Sequence, residues 1–246
     1  MKQYLFFSLI LFSFFSCDKN ILDPTNSNNS SAATPTPNAC ANADAALWAV
    51  QSITSQQSLP NLPAVDITIG LGVGLFTSNG LTAASPSRVN VGTVTANNTT
   101  DLDYEGETYL NKPGTSDPQG INWSSGVTWK ITGDNGYTAF THTPTNRFPT
   151  VSAITSDATV TKSSGYTLSC NTITGADSVL FLVGDVAKTL GPTATSHTFS
   201  ASDLAGLSTG TSVAQIVPYT FSSKDFGGKT ICFGKEAVRQ LVVDIQ

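Results

Sequence analysis

The sequence predicts an all-β protein made of two tandem β-sandwich domains. Three observations predict it. Roughly a quarter of the 246 residues are Ser or Thr and 12% are charged, a composition that suits pleated, half-buried strands. Apolar residues alternate with small or polar ones in segment after segment, the two-residue period of a strand. Turn signals separate these segments at the short spacing of a sandwich.

The amino terminus reads differently. Lys2 precedes an apolar run of 12 residues, Tyr4 to Phe15, closed by Ser16 and Cys17. A cationic start, a short apolar run and a small residue make a secretory signal. The run is too short to span a bilayer, which needs roughly 20 residues. A cysteine placed where the run ends turns the pattern into a lipoprotein signal, with residues 1–16 cleaved before Cys17. Phe14 stands where an aliphatic residue is usual, and this aromatic form resembles the signals of Bacteroidota lipoproteins. The resemblance implies a diacylglyceryl group and a palmitate-like N-acyl chain on Cys17. Each buried methylene contributes about 0.8 kcal/mol, so several chains hold a protein to a membrane.

Residues 17–43 are expected to form the lipidated cysteine and a flexible tether. From Thr25 to Ala43 there is no charge and, apart from Cys40, only Thr, Asn, Ser, Ala and Pro. Such a segment buries too little apolar surface to order itself. About 25 flexible residues reach roughly 28 Å. The net charge of −5 excludes nucleic acid, whose recognition needs basic patches.

The first sandwich is expected over 44–148. Asp44 to Val50 fits a helix capped by Asn42 or Asp44 as well as a strand; an opening strand through Ile53 is the reading adopted. Pro60 and Pro63 mark a turn. Val65 to Phe76 alternates apolar residues with Gly, Asp and Thr, and its glycines suggest bulges or close backbone approach. Being long and nearly uncharged, it should be covered; an uncovered edge would favour strand addition to a partner. Further strands are expected at Val89–Ala96, Thr108–Asn111, Val127–Thr132 (with Trp129 inward) and Tyr137–Thr143, with a turn at Asp134-Asn135-Gly136. The boundary falls in the Pro-rich stretch Thr143–Pro149.

The second sandwich is expected over 149–246. Strands are read around Tyr166–Cys170, at Ser178–Val183, at Thr198–Phe199, from Val213 to Phe221, at Lys229–Phe233 and from Ala237 to Ile245. Ser200 or Ser202 caps one helical turn through Leu204. Pro218 suggests an edge position or a bulge, and Arg239 an edge. About seven short strands in about 95 residues make this an immunoglobulin-like sandwich. The order Ser-Gly-Tyr-Thr-Leu (164–168), Gly-Ala-Asp-Ser-Val (175–179), Ser-Asp-Leu-Ala-Gly-Leu (202–207) and a long hairpin resembles Ig-like C-terminal domains of uncharacterised Bacteroidota envelope lipoproteins. Gly126 to Gly136 resembles a recurring part of the domain before it. The resemblance implies no known reaction.

Candidate chemistry is sparse. The spacing of Cys170 and Cys232 is compatible with an inter-sheet disulfide, which would contribute about 4 kcal/mol in the chain-entropy model. Against it, no Trp follows Cys170 on the next strand, and Cys232 alternates away from Ile231 and Phe233; a buried thiol at Cys170 and an unpaired Cys232 is the other reading. His142 and His197 lack a nucleophile elbow, so no catalytic residue is assigned, and no His or Cys pair has zinc spacing. Asp101, Asp103, Glu105 and Glu107 read either as a calcium or carboxylate-pair site or as a solvated strand edge; the edge is adopted. Trp123, in a loop near Tyr137, could stack on a sugar if exposed. The expectation is a non-enzymatic outer-membrane lipoprotein, on the periplasmic face or the cell surface, without metal or cofactor. Its role is contact or adhesion with envelope proteins, or self-assembly into a surface structure. The alternative is a carbohydrate-binding module of a glycan-uptake system.

Overall fold

A computed structural model gives the fold and describes residues 40, 42–56, 65–115 and 117–246. The fold is an all-β sandwich with seventeen strands among the described residues. Strands β1 (Ala45–Gln56) and β2 (Val65–Phe76) form an antiparallel hairpin, Leu47 opposite Gly74 and Val50 opposite Leu71. The Ala-rich opening is therefore strand, and its small residues alternate between two buried sheet faces. Strands β3 (Val94–Ala96) and β4 (Thr100–Asp101) begin a second sheet. The chain then steps back to the first as β5 (Asp103–Glu105) and β6 (Thr108–Leu110), with Leu102 buried at the step. Strands β7 (Trp129–Ile131) and β8 (Phe140–His142) complete the second sheet, in the order β4-β3-β7-β8.

The rest of the chain contributes β9 (Thr150–Val151), β10 (Thr159–Val160), β11 (Tyr166–Ser169), β12 (Ile173–Thr174), β13 (Ser178–Val183), β14 (Val186–Leu190) and β15 (Ser196–Phe199). Strands β9 and β12 pair, as do β11 and β15. One helical turn, α1 (Ala201–Leu204), follows; Ser200 caps it and Asp203 returns the bond in a capping box, which satisfies two orphan amides. The chain ends in a hairpin of two 17-residue strands, β16 (Gly210–Phe226) and β17 (Lys229–Ile245).

That hairpin organises the molecule. The main sheet has nine strands in the order β14-β13-β16-β17-β1-β2-β6-β5, with β10 also pairing β17. Strand β17 runs parallel to β1, Ala45 opposite Ile231 and Ile53 opposite Arg239. One sheet thus passes through both halves of the chain. On its inner face lie two apolar clusters. The first gathers Leu47, Phe76, Trp129 and Phe140. The second gathers Val179, Phe181, Ile216 and Val243. They divide close to residue 148, except that Ile231 and Phe233 of β17 join the first.

Between the clusters, the buried Lys235 ammonium donates to the Pro144 carbonyl at 3.1 Å and to the Asn146 carbonyl. Thr220 donates to the Arg147 carbonyl at 2.9 Å. The Pro-rich stretch 143–149 is thereby fastened to the central strands.

The glycines of β2 have one cause. Gly70, Gly72 and Gly74 face inward, where a Cβ on Gly70 would lie 1.8 Å from the Ile121 carbonyl oxygen, and one on Gly72 would press on Ile121, Leu102 and Trp129. The stripe lets the 119–121 segment pair with the strand edge and lets the Trp129 indole approach the sheet.

Two readings of the hairpin need correction. Pro218 and Arg239 are not at an edge, because β16 and β17 are both flanked by strands. Pro218 stays paired with Val179 of β13, while the pairing with β17 lapses between Ile216 and Tyr219; the missing N–H falls on that side. Arg239 is buried because Asp66 meets its guanidinium with two hydrogen bonds, of 2.7 and 2.6 Å.

Candidate functional site

The strand chemistry places the expected site residues one by one. Cys17 and the rest of the signal lie outside the described residues. Cys40, expected inside the tether, is bonded to Cys232, with Cα atoms 5.3 Å apart. The possible Cys170–Cys232 bond therefore does not form; of the other reading, the buried thiol at Cys170 holds and the unpaired Cys232 does not. Cys232 faces away from Ile231 and Phe233, onto the outer face of the sheet, whereas Cys170 packs in the second inner cluster as a buried free thiol. Burial pushes that thiol's pKa up, which makes it a poor nucleophile. The tether also ends earlier than expected: Ala43 is buried beside Cys232.

Trp123 and Tyr137 do not form a sugar platform. They are 3% and 5% exposed. Asn122 caps a tight turn that drives Trp123 inward, and its indole N–H donates to the Val50 carbonyl at 3.1 Å. Tyr137 closes the Asp134-Asn135-Gly136 turn and its hydroxyl lies 2.7 Å from the Thr77 carbonyl and 3.0 Å from that of Asp44. Burial pushes the phenol up to about 12. Both rings belong to the first core. The burying groups, Val50, Thr77 and Asp44, are distant in sequence, so local composition carried no sign of them.

The acidic stretch does not converge. Asp101 and Asp103 stand on strands of different sheets. Asp101 accepts from Thr95 at 2.7 Å and Glu105 pairs with Lys112. No group of three or more His, Cys, Asp or Glu among the described residues could hold a metal ion. His142 packs on Phe233 and His197 on Phe199, at 4.7 and 4.6 Å between rings, and burial lowers both pKa values. A shallow cleft of about 390 Å³ is lined by Thr155, Asp157, Thr161, Tyr166 and Ser169 among others. Its polar groups are turned on one another: Tyr166 donates to the Asp157 carbonyl at 2.7 Å, and Thr155 meets Ser169 at 3.0 Å.

The chain matches no family model, no curated protein and no solved structure.

What the sequence reading missed is the outer face of the main sheet. Val50, Leu71, Val73, Leu180, Leu182, Val217 and Val238 form a third buried cluster there, flanked by Trp48, Ile69, Leu110 and Tyr219. Glu236 sits among them, opposite Val50 on one side and Tyr219 on the other. It is 2% exposed, and its Oε2 has no hydrogen-bond partner among the described residues. Burial pushes the carboxyl up to about 8. Trp48 lies against Gly234, where a Cβ would fall 2.2 Å from the indole. The signal was in the sequence: Leu71, Val73 and Leu75 alternate with the glycines and so form a second apolar side of β2.

The cover expected over Val65–Phe76 is partial. From Gly70 onward β2 is buried, with the 119–121 segment and β6 on its far edge. Val65 and Ile67 are 61% and 40% exposed. No described helix is long and apolar enough to cross a membrane.

Proposed function

We propose that the chain is an exported envelope lipoprotein, anchored through Cys17, that works by protein contact and not by catalysis. The carrying observation is the stretch Lys2 to Cys17, a cationic start and an apolar run ending in Ser-Cys. The Cys40–Cys232 disulfide supports it, since such bonds persist in oxidising compartments outside the cytosol. The resemblance of the signal to those of Bacteroidota lipoproteins supports an anchor in the outer membrane, on its periplasmic or its outer side.

The contact role is supported by the exposed end of β2. From Val65 to Ile69 no described residue pairs with its far edge, and Val65 and Ile67 stand out from it. An open edge with apolar side chains suits strand addition by another envelope protein or a second copy. The sugar-binding alternative loses the two aromatic residues that motivated it.

Incorporation of labelled fatty acid tests the anchor. Wild type is expected to take up the label and Cys17→Ser to take up none, whether it is released or retained with its leader. Equal labelling of the two would defeat the proposal.

A further inference from the structure

We infer that the free edge of β2, Val65 to Ile69, pairs antiparallel with the same edge of a second copy about a two-fold axis at Ile67, which names the partner for the contact role proposed above and rests on it. The backbone sets the pairing. Gly70 donates to the Gln119 carbonyl at 2.8 Å and accepts from Ile121 at 3.0 Å, and the Gly72 carbonyl accepts from Asn111 at 3.2 Å. These bonds lie on the far edge, since β1 occupies the other side of β2. Residues along a strand direct their N–H and C=O to its two sides in alternation. Asp66 and Thr68 therefore present theirs to the same far edge as Gly70, and no described residue pairs with them there.

This edge is complementary to itself in one register. With Ile67 opposite Ile67, Asp66 falls opposite Thr68 of the other copy, and the two exchange both N–H···O bonds. The symmetric pair does the same, so every free group from Asp66 to Thr68 is satisfied. An axis at Asp66 would set two carboxylates opposite each other, which is destabilising. An axis at Thr68 would bring Asp66 against Gly70, whose groups are already bonded.

The side chains agree with that register. On the outer face Val65 meets Ile69 and Ile67 meets its own copy, an apolar ladder. Val65 and Ile67 are two of the three large apolar side chains that stand exposed among the described residues. On the inner face Thr68 of the other copy meets Asp66, whose charge the Arg239 guanidinium holds with bonds of 2.7 and 2.6 Å. An inward-pointing charge ordinarily guards an edge against pairing; here it is neutralised from within the chain.

Five residues a side are far fewer than the roughly 20–30 of a standard interface, so the pairing is weak in solution and grows with local concentration. The segment from Cys40 enters at Ala45, opposite Phe76 at the other end of β2. Antiparallel pairing thus sets the two amino-terminal ends about 60 Å apart along the strands, an arrangement that suits copies held on facing surfaces.

The test uses the full chain with Cys17→Ser and Cys170→Ser, which leaves the Cys40–Cys232 bond and one introduced thiol. Mild oxidation is followed by non-reducing electrophoresis over rising protein concentration. Opposed residues that are not hydrogen-bonded have Cα atoms about 4.5 Å apart, within disulfide range. Ile67→Cys is expected to give at least ten times the dimer of Thr68→Cys, whose two copies lie beyond that range. A mixture of Val65→Cys and Ile69→Cys should give a dimer that neither gives alone. Thr68→Pro removes a far-edge N–H and leaves the β1 ladder intact; added to Ile67→Cys it should cut the yield at least tenfold with the circular dichroism unchanged. Equal yields at 67 and 68, monomer alone, or a yield that Thr68→Pro leaves unchanged overturns the inference. Fatty-acid labelling of the wild type reports on the anchor separately, and a different envelope protein crosslinked at Ile67→Cys in place of a second copy would overturn self-pairing while the contact role stands.

Discussion

Cys40 is bonded to Cys232 across 192 residues of sequence, and the bond ties the segment before β1 to the outer face of β17. The parallel pairing of β1 with β17 starts five residues after Cys40, at Ala45 opposite Ile231. The disulfide therefore links the segment before β1 covalently to the strand with which β1 pairs.

Its loss should be costly. In the chain-entropy model a loop of this length contributes about 5 kcal/mol. Cys40→Ser is expected to lower unfolding stability by several kcal/mol, read from urea titration, and wild type under reductant should match it. Cys170→Ser, with no bond to lose, should cost far less. Equal effects would assign the bond wrongly.

Glu236 makes stability fall as pH rises. Burial raises its folded pKa to about 8 from an ordinary 4.5, so between these values the unfolded chain releases a proton that the folded one keeps. The sign follows from the unfolded state binding fewer protons. At about 1.4 kcal/mol per unit, the loss from pH 4.5 to 7 is about 3 kcal/mol. Glu236→Gln should remove that slope and stabilise the protein at pH 7. A slope unchanged in the variant would show that the carboxyl is not the cause.

Gly70 should tolerate no side chain. Its Cβ would lie 1.8 Å from a carbonyl oxygen, whereas one on Gly206 meets nothing within 4 Å. Gly70→Ala is expected to cost about 3 kcal/mol or more, from overpacking against backbone. Gly206→Ala should stay within about 0.5 kcal/mol. Thermal melts of the pair check both.

Asp66 gives the opposite pH sign. The Arg239 guanidinium and the Ser55 hydroxyl lower its pKa from 3.8 to about 2. Its contribution is present above 3.8 and is lost as pH falls through 2. Its side chain is 48% exposed, so solvent screening holds the contribution to about 1 kcal/mol or less. Asp66→Asn should be slightly less stable than wild type at pH 5, and the difference should vanish near pH 2.

Much of the fold was legible because it is local. The two-residue alternation gave β2 and β7, the apolar run Ser178–Val183 gave β13, the Asp134-Asn135-Gly136 turn held with both central residues at positive φ, and Ser200 capped its helical turn. What escaped was set at long range. Nothing near Ala45 announces Ile231 as its partner, and nothing in the polar surroundings of Cys40 announces Cys232. Two segments read as separate strands, Lys229–Phe233 and Ala237–Ile245, are one, because Gly234 accommodates Trp48 and Lys235 reaches the 143–149 stretch without breaking the ladder. Trp123 looked like a loop residue because the carbonyl that receives its N–H lies 73 residues away.

The central claim is that Cys17 is the anchored end of the mature protein. The direct measurement is the mass of the amino-terminal peptide from protein extracted out of its own membrane. The account predicts a peptide that begins at Cys17 and carries a diacylglyceryl group and an acyl chain. A peptide that retains residues upstream of an unmodified Cys17, or one that begins beyond it, would contradict it.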